Sequence, residues 1–257
     1  MIEIRPCAGF DELEACVQLQ IDTWGYDESD VIPRKTFLVA QRIGGQVLGA
    51  FDTELVGNPA ETMVGFVFSL PGVVTGKGEP QAYLHSHMLA VRQAYRNRGL
   101  GRQLKLEQRL EALSRGIRCM EWTFDPLEIK NAFLNIHRLG ATVRRYLVDF
   151  YGVSSSRLQA GLPTDRLLAE WRLDSPRVQA ILIGQSTPAQ LIEERIQVPA
   201  SIYDWKATEV GREQALAVQL ENRQKFQQAF SRGLAVVGFS RDAEGNGVFE
   251  LGSPTQA

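Results

Sequence analysis

Apolar residues recur along this chain at two periods, two and about three and a half, and the two alternate. Ile2-Glu3-Ile4 alternates and is stopped by Pro6, which predicts a short strand. Over 11–24, Leu13, Cys16, Val17, Leu19 and Ile21 recur at helical spacing, with Gly25 as the stop. Pro33 opens a second helical stretch over 36–43, ended by Gly44-Gly45. Three strands are predicted next, over 47–53, 62–69 and 82–91. Turn signals at Gly57-Asn58-Pro59 and Gly76-Lys77-Gly78 make an antiparallel meander the simplest arrangement. After Gly99, Leu100, Leu104, Leu106, Leu110 and Leu113 form one side of a long helix that leaves at Gly116. A buried strand over 119–124, a helix over 129–139 closed by Gly140, and strands near 141–151 and 167–173 complete this part.

The tail reads differently. Residues 179–183 suggest a strand, and Ile196-Gln197-Val198 an extended piece that stops at Pro199. Residues 209–231, rich in Gln, Glu and Ala, predict a long helix. Residues 235–239 and 248–251 flank a polar turn, a hairpin signal, and the end at 252–257 is expected to fray. The chain therefore divides into 1–173 and a C-terminal extension, 174–257, with a strand, a long helix and a hairpin.

Composition narrows the possibilities. With 257 residues, 44% hydrophobic and 23% charged, the chain is an ordinary globular one that needs no metal or disulfide to fold. A net charge of -2 excludes a whole-protein nucleic-acid footprint. Cys7, Cys16 and Cys119 are too few and too scattered for a disulfide framework or a zinc site. No signal peptide and no transmembrane run is readable, so a cytoplasmic location and no membrane partner are expected.

One stretch carries the chemistry. A strand ending at Val91 runs into a basic loop with two glycines, Gly99 and Gly101, that opens the long helix. Helix N-termini leave backbone N–H groups unpaired and favour anions. Arg92, Arg96, Arg98, Arg102 and Lys105 add five cations with no acid among them. On a near-neutral chain this bias points to a phosphorylated ligand. The bland alternative is a tight turn with solvated arginines. GxGxxG and GxxxxGK[ST] are both absent, so neither dinucleotide-binding fingerprint nor P-loop fits.

The segment from Leu89-Ala90-Val91 through Arg96-Asn97-Arg98-Gly99-Leu100-Gly101 resembles the acyl-CoA signature of the GNAT acetyltransferase superfamily, [Q/R]-x-x-G-x-[G/A] after a strand. Arg96, Gly99 and Gly101 fill its fixed positions. The element order over 1–173 is similar too. The resemblance implies an α/β (α+β) fold with a mixed, mostly antiparallel sheet flanked by helices, and acetyl-CoA as cosubstrate. Amides of Asn97, Arg98, Gly99, Leu100, Gly101 and Arg102 would cradle the pyrophosphate. The signature strand would splay from the next one to admit the pantetheine arm. The Leu89 amide would polarise the thioester carbonyl, Val91 would pair with the pantetheine, and Asn131 and Asn135 would bond its amides.

His85 and His87 stand at i and i+2, so they are expected on one side of that strand, with Leu89 and Val91 in the same phase. Histidine has a suitable unperturbed pKa to deprotonate an amine nucleophile. The run His85-Ser86-His87-Met88-Leu89-Ala90-Val91 resembles the His-x-His-x-Leu-Ala-Val of arylalkylamine N-acetyltransferases, where paired histidines serve as base. The competing reading is two core histidines. A metal site is disfavoured, because no third ligand lies nearby in sequence.

The helix that ends at Leu139-Gly140 departs from the family, since the leaving-thiolate acid, commonly a tyrosine, is Ile136 here. Tyr146 and His137 are substitutes, His137 reading better as a surface histidine. Trp122, Phe124 and Pro126 suit an acceptor pocket or plain core; Asp125 suits a cationic acceptor or a turn cap. Cys119 reads as buried, so no covalent intermediate is expected.

Together these features predict an acetyl-CoA-dependent N-acetyltransferase acting by direct attack on a primary amine, of a small molecule or peptide. The alternatives are a non-catalytic acyl-CoA-binding or sensor protein, and an interaction protein whose C-terminal helix and hairpin hold a partner. A homodimer stays open through the edge strands and the extension.

Overall fold

A computed structural model of the chain describes residues 1–75, 79–186, 188 and 190–254, so the turn expected at Gly76-Lys77-Gly78 lies outside the described residues. The chain forms two compact units. The first contains Met1–Glu121 with Ser155–Leu158, and the second Trp122–Ser154 with Gln159–Ala257.

In the first unit, β1 (Ile2–Pro6), β2 (Gln46–Asp52), β3 (Met63–Val74) and β4 (Gln81–Val91) follow one another as the expected antiparallel meander. The start of β5 (Cys119–Phe124) adds to β4 in parallel. Helices α1 (Gly9–Trp24) and α2 (Arg34–Arg42) cover one face. Their Leu13, Leu19 and Phe37 pack on Phe66, Phe68, Met88 and Ala90. Phe37 meets Phe68 edge-on at 4.8 Å between centroids, a favoured aromatic geometry. Helix α4 (Leu100–Ser114) covers the other face, with Leu100 and Leu104 against Leu48, Ala50, Val64, Val67 and Val91. Where a simple turn was expected at Gly57-Asn58-Pro59, a helical turn α3 (Pro59–Thr62) forms. Asn58 and Glu61 make a reciprocal capping box with proline in the first turn, a signal the sequence carried.

In the second unit, Trp122–Phe124 lie beside β7 (Arg166–Arg172), and the strands continue through β6 (Thr142–Leu147), β9 (Ala235–Arg241), β10 (Gly247–Gly252) and β8 (Glu194–Val198). All the pairings recorded among these last five are antiparallel. The hairpin predicted from 235–251 forms as β9 and β10, and Gly252, expected to fray, ends β10. The helix over 129–139 is split. An α-helical turn, α5 (Ile129–Ala132), passes into a π-helical turn over Phe133–Arg138, in which Leu139 N–H reaches back five residues to Leu134 O.

Two expectations are corrected. Residues 179–183 are not a strand; α6 (Pro176–Leu182) forms there. Ser175 caps it through Val178 N–H and Pro176 occupies the first turn, which outweighs the β-branched content. The strand near 141–151 ends at Leu147, because Asp149 turns the chain at φ 44° and binds Thr164 N–H with its carboxylate. A short helix, α7 (Ile202–Lys206), went unread, and α8 (Glu209–Ser231) matches its prediction. Among the described residues, no helix is long and apolar enough to cross a membrane.

The extension is fastened to the rest of its unit by charge. Asp165, fully buried, takes Arg223 of α8 in a two-pronged pair at 2.8 and 3.0 Å and the Tyr146 hydroxyl at 2.6 Å. Removing one partner of such a pair leaves the other charge unmatched. We expect Asp165→Ala to cost about 3 kcal/mol or more, read as a lower urea midpoint; an unshifted midpoint would show that the pair contributes nothing.

Candidate active site

The pairing of β3 with β4 slips by one residue: Phe68 faces Met88, but Ser69 faces Ser86. His87 is the extra residue, so β4 carries a β-bulge there. The bulge changes which way the strand faces. Paired residues of neighbouring strands share a face, so His85, opposite Leu70, lies on the α1–α2 side. His87 joins it, 6.0 Å from the Phe68 ring and 6.0 Å from His85 between centroids. Ser86 turns the other way, to α4. Past the bulge, Leu89 packs with Leu100 and Leu104 on the α4 side along with Val91. The two histidines are thus together as expected, but Leu89 and Val91 do not continue their phase; the inserted residue reverses it.

Glu121 of β5, which sequence reasoning did not single out, meets His85 at Nδ1 to Oε1, 3.3 Å. Such a carboxylate fixes the ring's orientation and leaves Nε2 to accept a proton. Glu121 lies on β5 opposite His85, as Met120 lies opposite Leu84.

The basic loop follows β4. A 3₁₀ turn (Gln93–Tyr95) leads to Asn97 at φ 60° and Gly99 at φ 82°. Gly99 is the N-cap of α4 and offers no side chain to the helix's first N–H groups. A Cβ there would meet nothing within 4 Å, so the approach to those amides from Gly99 is open. The first intrahelical bond is Gln103 N–H to Gly99 O, which leaves Leu100, Gly101 and Arg102 in the anion-favouring first turn. The cations are less uniform than their sequence suggests. Arg98 is exposed, its guanidinium 5.7 Å from the Tyr95 ring centre. Arg96 Nε donates to Val91 O at 2.9 Å, and Arg92 is turned back to Ala60 O. Lys105 is no phosphate ligand: it is buried beneath α4.

The remaining candidates belong to the second unit. Asn135 is buried and Asn131 is exposed. Tyr146 stacks near Phe226, its hydroxyl held by Asp165; burial and that carboxylate push its phenol up, which makes it a poor proton donor. His137 is exposed and stacks on Phe133 at 4.5 Å, the surface role favoured for it. Trp122 and Phe124 are buried, Trp122 edge-on to Trp171, as core. Asp125 caps its turn through Leu127 N–H and pairs with Lys206, so its charge is already matched. Cys119, read as buried, is half-buried.

No family model matches the sequence, and no curated protein matches it. Solved structures do. Arabidopsis thaliana NAA60 in complex with acetyl-CoA aligns with a TM-score of 0.53 at 18% identity, covering 67% of this chain and 99% of that one. The ribosomal-protein-S18-alanine N-acetyltransferase from Escherichia coli aligns at 0.50 and 16%, covering 68% and 96%. The fold is that of the GNAT acetyltransferases.

Strand β4 holds one histidine whose protonation state is set by burial. Desolvation, and then the neighbouring His85 charge, push His87 down to about 4. The unfolded chain protonates His87 near 6.5, so between these values the unfolded state binds the extra proton. Its contribution to stability is full above pH 6.5 and is lost as pH falls through about 4, a span worth about 3 kcal/mol. In urea titrations from pH 7 to 4, His87→Gln is therefore expected to flatten the loss of stability; an identical slope in variant and wild type would refute this.

Proposed function

We propose that this protein is an acetyl-CoA-dependent N-acetyltransferase. The observation that carries the reading is the loop-to-helix start at Asn97–Arg102: an uncapped helix N-terminus behind an αL glycine, with an exposed arginine beside it. Acetyl-CoA as donor is further supported by the NAA60 complex, whose bound ligand it is. Transfer is assigned to residues 1–173, about two thirds of the chain. Residues 174–257 form the extension.

In this mechanism the pyrophosphate binds the amides of Asn97, Arg98, Gly99, Leu100, Gly101 and Arg102, with Arg96 in support. The Leu89 amide, on the strand bent by the bulge, donates to the thioester oxygen as negative charge develops there. Val91 takes the pantetheine through its N–H, its carbonyl being shared with Arg96. Asn135, buried, and Asn131, exposed, belong to the second unit, and the reading rests on the residues of the first. His85, oriented by Glu121, accepts the proton of the attacking amine, and His87 stays neutral beside it. The amine nitrogen attacks the acetyl carbon, the carbonyl reforms and the CoA thiolate leaves. With Ile136 at the usual acid position and Tyr146 bound to Asp165, the thiolate departs without a dedicated side-chain acid. The acceptor is a primary amine; a protein-borne amine is in keeping with the E. coli neighbour, which is named as an N-acetyltransferase of a ribosomal-protein alanine.

Calorimetry with acetyl-CoA tests the donor site. Saturable binding is expected to wild type and none to the Gly99→Glu, Gly101→Glu double variant; absence of binding to folded wild type would sink the reading. In a screen of amine acceptors, His85→Ala is expected to lower kcat by about 10²–10⁴-fold, and Glu121→Gln by less. Binding without turnover of any amine would favour the sensor reading instead.

A further inference from the structure

The inner face of α4 carries a stripe that folding alone does not require. Lys105, Gln108 and Glu111 stand at i, i+3 and i+6, and the first two are buried beside the apolar Leu104 and Ala112. Opposite them stands one buried polar residue from each of three adjacent strands: Gln46 of β2, Ser69 of β3 and Ser86 of β4. The bonds run from one end to the other. Lys105 Nζ donates to Ser86 Oγ at 2.7 Å, and Ser86 Oγ donates to Gln108 Oε1 at 2.9 Å. Gln46 Nε2 donates to Gln108 O at 2.9 Å and to the Glu111 carboxylate, while Ser69 Oγ donates to Gln46 Oε1 at 3.0 Å.

An apolar interface would avoid the desolvation that pushes the Lys105 amine well below its usual range. Replacing buried polar groups by apolar ones of like volume is often neutral or stabilising. What an apolar interface lacks is a single axial offset. Leucines tolerate a helix sliding along a sheet, whereas directional bonds close at one register only, and fixing register is the best-attested use of buried polar groups. Here the offset couples two places that one extended ligand must reach together. The first turn of α4 lies one turn before Lys105 on the same helix, and Ser86 lies between His85 and His87 on the bulge of β4.

We propose that Lys105, Ser86, Gln108 and Gln46 are positioning residues: they lock α4 at one register on β4 and so set the spacing between the pyrophosphate end and the thioester end of bound acetyl-CoA. The inference rests on the acetyl-CoA reading above.

The test compares the whole cosubstrate with its nucleotide half. Calorimetry is run with acetyl-CoA and with 3′-phospho-ADP on wild type, Lys105→Met, Ser86→Ala and Ser86→Thr. Ser86→Ala removes one oxygen and keeps the strand, so at least one variant folds. Lys105→Met and Ser86→Ala are expected to weaken acetyl-CoA about tenfold or more while binding 3′-phospho-ADP as wild type does, and Ser86→Thr to restore the whole ligand. Equal weakening of both ligands would overturn the proposal, since the residues would then only hold the helix in place. So would unchanged affinity for both. Failure of wild type to bind acetyl-CoA is a separate result that removes the reading beneath it.

Discussion

One inserted residue in β4 decides how the rest of the first unit is used. Without the bulge at His87, strict alternation would put Ser86 and Met88 on one face and His85, His87, Leu89 and Val91 on the other. With it, Met88 and Ala90 join the aromatic core under α1 and α2, while Leu89 and Val91 join the aliphatic core under α4. The histidines keep the α1–α2 side, and Ser86, between them, faces α4. A strand can then serve two faces at once: a titratable pair on one, and a hydrophobic and polar anchor for the helix on the other. A bulge also bends the strand that bears it, just past the point where β4 pairs with β5 at Leu84–Met120 and His85–Glu121.

The two contacts of α4 do different work. Leu100 and Leu104 supply area, the non-directional part of its stability. The polar stripe supplies direction at a desolvation cost, and it sits at the middle of the helix, where an axial slip would be felt equally at both ends. A helix whose first turn receives an anion is pulled along its axis by that ligand. The stripe opposes such a pull, and burial keeps its bonds from being traded for water.

Much of this was legible in the sequence, and what was not has a common cause. The meander, the α4 start at Gly99, α8 and the terminal hairpin follow from periodicity and from glycine, signals that are local in the chain. The His85–His87 pair was legible for the same reason. Glu121 was not, because it reaches His85 across 36 positions through a parallel ladder that no periodicity announces. The phase reversal at Leu89 was hidden too: a bulge depends on how β3 pairs with β4, and nothing in the run 83–91 marks the extra residue. Lys105 read as a cation of the loop because charge counting ignores which side of a helix a residue takes. Its spacing from Leu104 and Gln108 held the needed signal. Ser175-Pro176 and Asn58-Pro59, by contrast, were cap signals in plain view, the first outvoted by the apolar pattern beside it and the second read as a plain turn.

The pairing of histidines raises a question of charge that the geometry answers. Two imidazolium rings 6.0 Å apart repel by about 3 kcal/mol at an effective dielectric near 20, so the face cannot readily hold both protons. Something must choose between them. Burial removes the charge from His87, whose ring is packed on Phe68, while Glu121 orients the His85 ring. In the proposed transfer this gives the pair a fixed order: the amine's proton goes to the ring with the carboxylate, and the neutral ring keeps the other half of the face uncharged and apolar enough to hold a deprotonated amine. A single histidine could supply the base, but it would leave the protonation state of its surroundings to solvent. Two unequal ones set it by structure.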